Sequence, residues 1–207
     1  MAYRPTEKTE ARKAAIRQRI IDAALQLVSD GGFGALTIGA VAQQAGIATG
    51  AVYKHFDSKA QLCAVVFRMA TEKEVEVVRQ TALADGEPDA RLLDSIAEFA
   101  ARAIRGRRLA YALIAEPVDA LVDAERLRYR QAYAEIFRQL VADGVATGAF
   151  PPQSASVSAA SLVGVIAEAL VGPLTWQDGR ESDIDEADLI RAIQGFCLRA
   201  VASKNIS

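Results

Sequence analysis

Apolar residues return every three to four positions along most of the chain, the period of a helix buried on one side. Ile16, Ile20, Ala24 and Leu27 form the first stripe, so a helix is expected from near Arg12, after a polar arm over residues 1–10. Asp30, Gly31 and Gly32 end it, since glycine readily takes the left-handed backbone found just past helix C-termini. Thr37 is placed to cap a short helix, IGAVAQQA, whose inner side is Ile38, Val41, Ala42 and Ala45. Gly46 breaks that helix, and a third short one is expected from Thr49 to His55, with Val52 and Phe56 turned inward. Asp57 and Ser58 then cap a long fourth helix, about Lys59 to Ala84.

The remaining stripes predict helices over Ala90–Arg105, Arg107–Glu116, Asp119–Thr147, Ser154–Trp176 and Asp185–Ser203. Their stops are Gly106, Pro117, Gly148 followed by Pro151 and Pro152, and an acidic loop opening at Asp178. No stretch alternates with the period of two that a strand requires, so the expected fold is all-α.

Composition agrees with a helical, core-forming chain: 51% of the 207 residues are apolar and 24% charged, with few aromatics. The net charge of −2 hides an asymmetry. Residues 1–59 hold eight Lys and Arg against five Asp and Glu, while residues 60–207 hold sixteen against twenty-one. A mildly basic N-terminal part on a larger acidic body fits a small nucleic-acid module joined to something else. Cys63 and Cys197 form no metal-binding or disulfide pattern, and the expected location is the reducing cytoplasm. The N-terminus shows no apolar leader. Residues 154–174 are the most membrane-like stretch, but their polar start and Glu168 favour a core or interface helix over a span.

Enzyme chemistry finds little footing. The single histidine, His55, excludes a histidine-dependent triad or a multi-histidine metal site elsewhere, and neither a phosphate-binding loop nor a dinucleotide fingerprint is present. No metal and no cofactor are expected. A carboxylate-only hydrolase is the remaining enzyme reading, and no residue pattern favours it.

The chemistry concentrates in residues 37–62, TIGAVAQQAGIATGAVYKHFDSKAQL. Two short helices joined at Gly46 make a helix-turn-helix: Ala42 lets them approach, and Ile47 and Val52 pin the second onto the first. The outer face of the second helix would then carry Ala48, Thr49, Gly50, Ala51, Tyr53, Lys54 and His55. Small residues let backbone approach the major groove, and Thr and Ala methyls can touch a thymine methyl. Tyr53 and His55 can donate to phosphates, and Lys59 opens a helix whose first N–H groups favour an anion. Arg17, in the basic N-terminal segment with Arg4, Lys8, Arg12, Lys13 and Arg19, is a further phosphate candidate.

The string TGAVYKHFDSKAQL closely resembles the recognition-helix signature of TetR-type regulators, and TIGAVAQQAGIATG resembles the first half of their helix-turn-helix. The resemblance runs over about residues 12–65. It implies an all-helical homodimer with a DNA-binding domain over 1–58 and an effector-binding and dimerisation domain over 59–207. It implies DNA contacts at Thr37, Thr49, Gly50, Tyr53, His55 and Lys59, with base-reading positions at Ala48, Thr49, Ala51 and Val52. It further implies repression of a palindromic operator, relieved by a small-molecule effector.

Two long helices offer a dimer surface: Ala159, Ala160, Val163, Gly164, Ala167 and Val171 on one, Ile190, Ile193, Phe196, Cys197, Ala200 and Val201 on the other. The competing reading of both faces is intramolecular core. For an effector pocket the candidates are the stripe Tyr129, Tyr133, Phe137 and Val141, with Arg107, Arg108, Tyr111, Glu116 and Arg126 nearby and Glu168 and Trp176 closing it. The competing readings are plain core for the stripe and an ion pair for Glu168. A body that binds a protein partner, or nothing, is the alternative to a ligand-responsive one.

Overall fold

The structure, a computed structural model, describes residues 7–175 and 185–202. Among these residues all regular structure is helical: α1 (Glu7–Ala35), α2 (Ile38–Ala45), α3 (Thr49–Val52), α4 (Lys59–Ala82), α5 (Pro88–Arg105), α6 (Arg107–Ile114), α7 (Ala120–Thr147), α8 (Ala155–Leu174) and α9 (Glu186–Ala202). The all-α expectation holds. Helical backbone begins earlier than expected, at Glu7, and α1 continues for one turn past the predicted stop. The stop itself is present as a break: Gly32 has φ 74° and ψ −177°, inside the run assigned to α1. α3 is shorter than expected, ending at Val52 with Tyr53 to His55 in the following turn.

Capping explains most boundaries. The Thr37 hydroxyl accepts from the Ala40 N–H at 3.1 Å, and Ser58 does the same for Gln61 at the head of α4. Asp119 caps α7 by accepting from Leu121 and Val122. Pro88 opens α5, where its missing N–H costs nothing.

Two apolar clusters organise the molecule. The first joins α1 to α3 with the N-terminal half of α4, and takes in Ala112 of α6 and Val122 and Tyr129 of α7. The second fills the body between α4, α5, α7, α8 and α9. Val75 of α4 packs against both. Within the first, the Phe67 ring stacks on Phe33 at 6.2 Å and tilts against Tyr129 at 6.1 Å, joining α1, α4 and α7. A carboxylate makes a second bridge. Glu116, just after α6, accepts from the N–H groups of Phe33 at 2.9 Å and Gly34 at 3.0 Å, beside the break in α1. Arg108 of α6 donates to the Gly31 carbonyl at 3.0 Å. Arg126 of α7 secures the end of α6 by donating to the carbonyls of Ala112, Leu113 and Glu116. Both cysteines are buried and unpaired with each other, and burial pushes each thiol up to about 11, which keeps it protonated and inert.

The proposed dimer faces divide between core and surface. Ala159, Ile193, Cys197 and Val201 are packed inside the body, as the intramolecular reading had it. Ala160, Gly164 and Ala200 are exposed beside them, Val157 is 65% exposed and Phe196 54% exposed. α8 is long and apolar enough by composition to cross a membrane, yet only 28% of its most apolar window is buried. It packs on α5, α6, α7 and α9 with its inner side, and a Cβ added at Gly164 or Gly172 would meet nothing within 4 Å.

Candidate nucleic-acid interface

The turn between α2 and α3 depends on one residue. Gly46 sits at φ 64° and ψ 42°, its N–H satisfying carbonyls at the end of α2, and the Ile47 N–H reaches the Ala42 carbonyl at 3.0 Å. Arg19 of α1 donates to the Ala45 carbonyl, tying α2 to α1 at the same point. Val41, Ala42, Val52 and Phe56 are buried where the three helices meet, which fixes the direction of the opposite side of α3. Burying Val52 and Phe56 contributes about 1.5–3 kcal/mol each.

That opposite side is open. Ala48, Thr49 and Gly50 are exposed, Ala51 is half-buried, and Tyr53 is 56% exposed with Lys54 beside it. A Cβ added at Gly50 would meet nothing within 4 Å, so the backbone there is free to approach a large partner. Thr37, Arg17 and Lys59 are also exposed. Val52 does not belong with them. It is 0% exposed, pointing into the core one residue away from the open face, and its side chain is excluded from contact with duplex. The Thr37 hydroxyl accepts as a cap, which leaves its methyl and its O–H donor for a partner.

Cations from different elements collect around His55. Its charged form is disfavoured by burial first, then by Lys13, Arg17 and Lys54, so its pKa lies below 6.5. Its Nδ1 is buried without a hydrogen-bond partner. Arg17 lies over the Phe56 ring, 4.9 Å from its centre, which holds the guanidinium beside α3. Lys13 is the member that sequence reading left among the arm residues. Its only signal is a spacing of four from Arg17, which places both on one helix face.

In the body, a cavity of about 180 Å³ lies between α4, α5, α6, α7 and α8. Arg126, Tyr129, Tyr133 and Phe137 line it as expected, joined by Phe67 and Thr71 of α4. The other pocket candidates lie elsewhere. Arg107 pairs with Glu186 at 2.9 Å, Arg108 and Glu116 tie the body to α1, and Glu168 is exposed on α8. Tyr111 packs on the body core and Val141 is buried within it, neither lining the cavity. Trp176 lies outside the described residues. The missed lining residues, Phe99, Arg102 and Arg130 among them, come from turns whose convergence only packing creates.

Residues 20–66 match the family model for bacterial regulatory proteins of the tetR family. Over 76 residues the sequence is 38% identical to the HTH-type transcriptional repressor KstR of Mycolicibacterium smegmatis, covering 37% of this chain and 37% of that relative. The match thus spans little more than a third of the relative's length. Similarity of fold extends much further. The transcriptional regulator FadR from Bacillus subtilis, solved in complex with stearoyl-CoA, is 18% identical; the match covers 91% of this chain and 99% of that one at a TM-score of 0.72. A transcriptional regulator from Saccharomonospora viridis, solved in complex with choline, is 16% identical and covers 92% and 100% at a TM-score of 0.74.

Proposed function

We propose that this chain, which belongs to the TetR family of helix-turn-helix transcriptional regulators, represses transcription from a palindromic operator as a homodimer and is released by a small-molecule effector. Members of the family are DNA-binding regulators and not enzymes. The observation that carries the reading is the division of α3 into a locked inner side, Val52 and Phe56, and an open outer side edged by Lys13, Arg17, Lys54 and Lys59. Thr49, Gly50 and Ala51, with Ala48, are assigned to the floor of the major groove, where methyls and backbone read shape and thymine methyls. Tyr53, His55, Arg17 and Lys59 are assigned to phosphates, and Thr37 supports the same backbone strand. The reading unit is assigned to residues 1–58 and the responding unit to 59–207, with the protein acting in the cytoplasm alongside its DNA.

The homodimer rests on the exposed apolar face of α8 and α9. Val157, Ala160, Gly164, Phe196 and Ala200 would meet their two-fold copies in a four-helix bundle. Contiguous exposed apolar surface is what a protein–protein interface leaves uncovered on a single chain.

The effector reading rests on the cavity. Two of its walls connect to the DNA-reading unit: α4 runs from Lys59 through the lining residues Phe67 and Thr71, and α6 abuts α1, with Glu116 just beyond it on the α1 break. A ligand with different affinity for two arrangements of these walls shifts the balance between them, and with it the spacing of the two α3 helices. The relatives' ligands do not select one for this chain, since stearoyl-CoA and choline differ in charge and size.

Selection of bound sequences from a random duplex pool tests the main reading. A palindromic consensus with half-sites about one helical turn apart is expected. Recovery of no sequence preference at low salt refutes it.

A further inference from the structure

The cavity's polar groups are mostly committed to the protein itself. Thr71 donates to the Phe67 carbonyl at 2.8 Å, and Tyr129 donates to Glu72 at 3.1 Å. Glu74, the one carboxylate in the lining, is held by a two-pronged Arg102 guanidinium at 2.6 and 2.8 Å. Arg126 spends its donors on three carbonyls and on Asp123 at 3.2 Å. Two groups remain. Among the described residues neither the Tyr133 hydroxyl nor the Arg130 guanidinium has a hydrogen bond or ion pair. Tyr133 is fixed by an edge-to-face contact with Phe99 at 5.4 Å, and burial keeps its phenol protonated and therefore able to donate. Arg130 is exposed at the rim and close enough to Arg126 to disfavour its charge.

The rest of the lining is apolar. Phe67, Phe137 and Ile166 are buried walls, with Leu113 and Val163 beside them. A single ordered water needs about 10–15 Å³ of such space, so a cavity of 180 Å³ is roughly an order of magnitude larger than a hydration site. An aromatic, apolar cavity of this kind also attracts lipophilic cations. Here the charge count opposes them: the carboxylate a cation needs is already held by Arg102, and the unpaired charge at the rim is positive.

Given the effector reading above, we propose that the cavity takes an amphiphile with one apolar body and one anionic head, the body among the aromatic walls and the head on Arg130 with a hydrogen bond from Tyr133. The head also relieves the repulsion between Arg130 and Arg126. A neutral chain of the same length gains the walls but not the rim, and a cationic one meets an unpaired guanidinium.

Calorimetric titration of the full-length protein with decanoate, decanol and decyltrimethylammonium, each kept below aggregation, separates these cases. One saturable decanoate site per chain is expected, binding more tightly than decanol, with decyltrimethylammonium weakest. Arg130→Gln is a surface change that leaves the fold intact, and it should weaken decanoate about tenfold while leaving decanol unchanged. Tyr133→Phe should weaken decanoate by a smaller factor. The proposal is overturned if the cation binds as tightly as decanoate, if Arg130→Gln leaves decanoate affinity unchanged, or if decanoate finds no site. Duplex binding by the same unliganded preparation reports on the regulator reading separately. Retained duplex binding without a decanoate site overturns the anion proposal alone.

Discussion

Replacing Glu116 by alanine tests how the DNA-reading unit is fastened to the body. The carboxylate accepts two backbone N–H groups, at 2.9 and 3.0 Å, from a segment of α1 that follows a left-handed glycine. Hydrogen bonds to a charged acceptor contribute about 1.5–3 kcal/mol each. Glu116 is half-buried, so water recovers part of that loss, and a net destabilisation of about 2–4 kcal/mol is expected. In a chain of this size each kcal/mol moves the melting point by about 2–4 °C, which places the shift at roughly 5–15 °C. Glu116→Gln keeps one acceptor oxygen and should fall between the two. Gly32 makes the test sharper. A Cβ there would meet the Glu116 carboxylate, and the backbone at φ 74° and ψ −177°, a region reached almost only by glycine, costs a side chain about 1–3 kcal/mol regardless. Gly32→Ala should therefore be more damaging in the parent than in the Glu116→Ala background. Calorimetric melts of the four proteins in this cycle measure the difference, expected at about 1 kcal/mol or more. Additive losses, or a Glu116→Ala protein melting with the parent, would refute the bridging role.

Four further outcomes follow from the same structure. Tyr53→Ala and Lys59→Ala should weaken binding to every duplex alike, but only the loss of the Lys59 charge should lower the slope of log affinity against log salt, by about 0.9; an unchanged slope for Lys59→Ala, or a sequence-dependent loss for Tyr53→Ala, counts against those roles. Phe196→Glu and Gly164→Glu should yield a folded monomer by sedimentation with unaltered helical signal, whereas a persistent dimer moves the interface elsewhere. His55 has its pKa held below 6.5 by burial and by Lys13, Arg17 and Lys54, and a bound phosphate opposes those cations and raises it. Duplex binding should then take up protons and tighten as pH falls from 7 toward 6, an effect absent in His55→Gln. The free protein shows the opposite sign, losing stability as pH falls below 6.5, because the unfolded chain binds that proton more readily. Gly144→Ala should cost about 1–3 kcal/mol by denaturant unfolding, since its Cβ would overlap the buried Phe150 ring, and Phe150→Leu should recover part of that loss.

Much of the fold was legible because helix punctuation is local. Thr37, Gly46 and Ser58 act through their own backbone neighbourhood, so the boundaries of α2 and the start of α4 follow from sequence alone. The α1 break was legible at Gly32 but its continuation was not, because the N–H groups of residues 33 and 34 find their acceptor 83 and 82 positions away, in Glu116. The open outer side of α3 was readable from spacing, which also turned Val52 inward; it was the family resemblance that set Val52 among base-reading positions, against its burial. The cavity was readable only in its α7 stripe. Arg107, Arg108 and Glu116 carry the charge expected of ligand-binding residues, but each is used to join one helix to another. Composition near a pocket does not separate those two uses. Ala159 and Ala160 show the same limit, one in the core and one on the surface, with only 100° of helix rotation between them.

α4 gives the molecule a mechanical advantage. Lys59 stands about 8 residues from Phe67 and 15 from Glu74, or roughly 12–22 Å along a rigid rod at 1.5 Å per residue. A tilt of about 5° pivoting at the cavity end sweeps the far tip by roughly 1–2 Å. In a two-fold pair both tips swing at once, so their gap changes by up to about 4 Å against the ~34 Å that separates successive groove faces of duplex. A change of a few degrees in the direction of the rod at the cavity would thus become, in the proposed dimer, a misfit of about one part in nine at its other end.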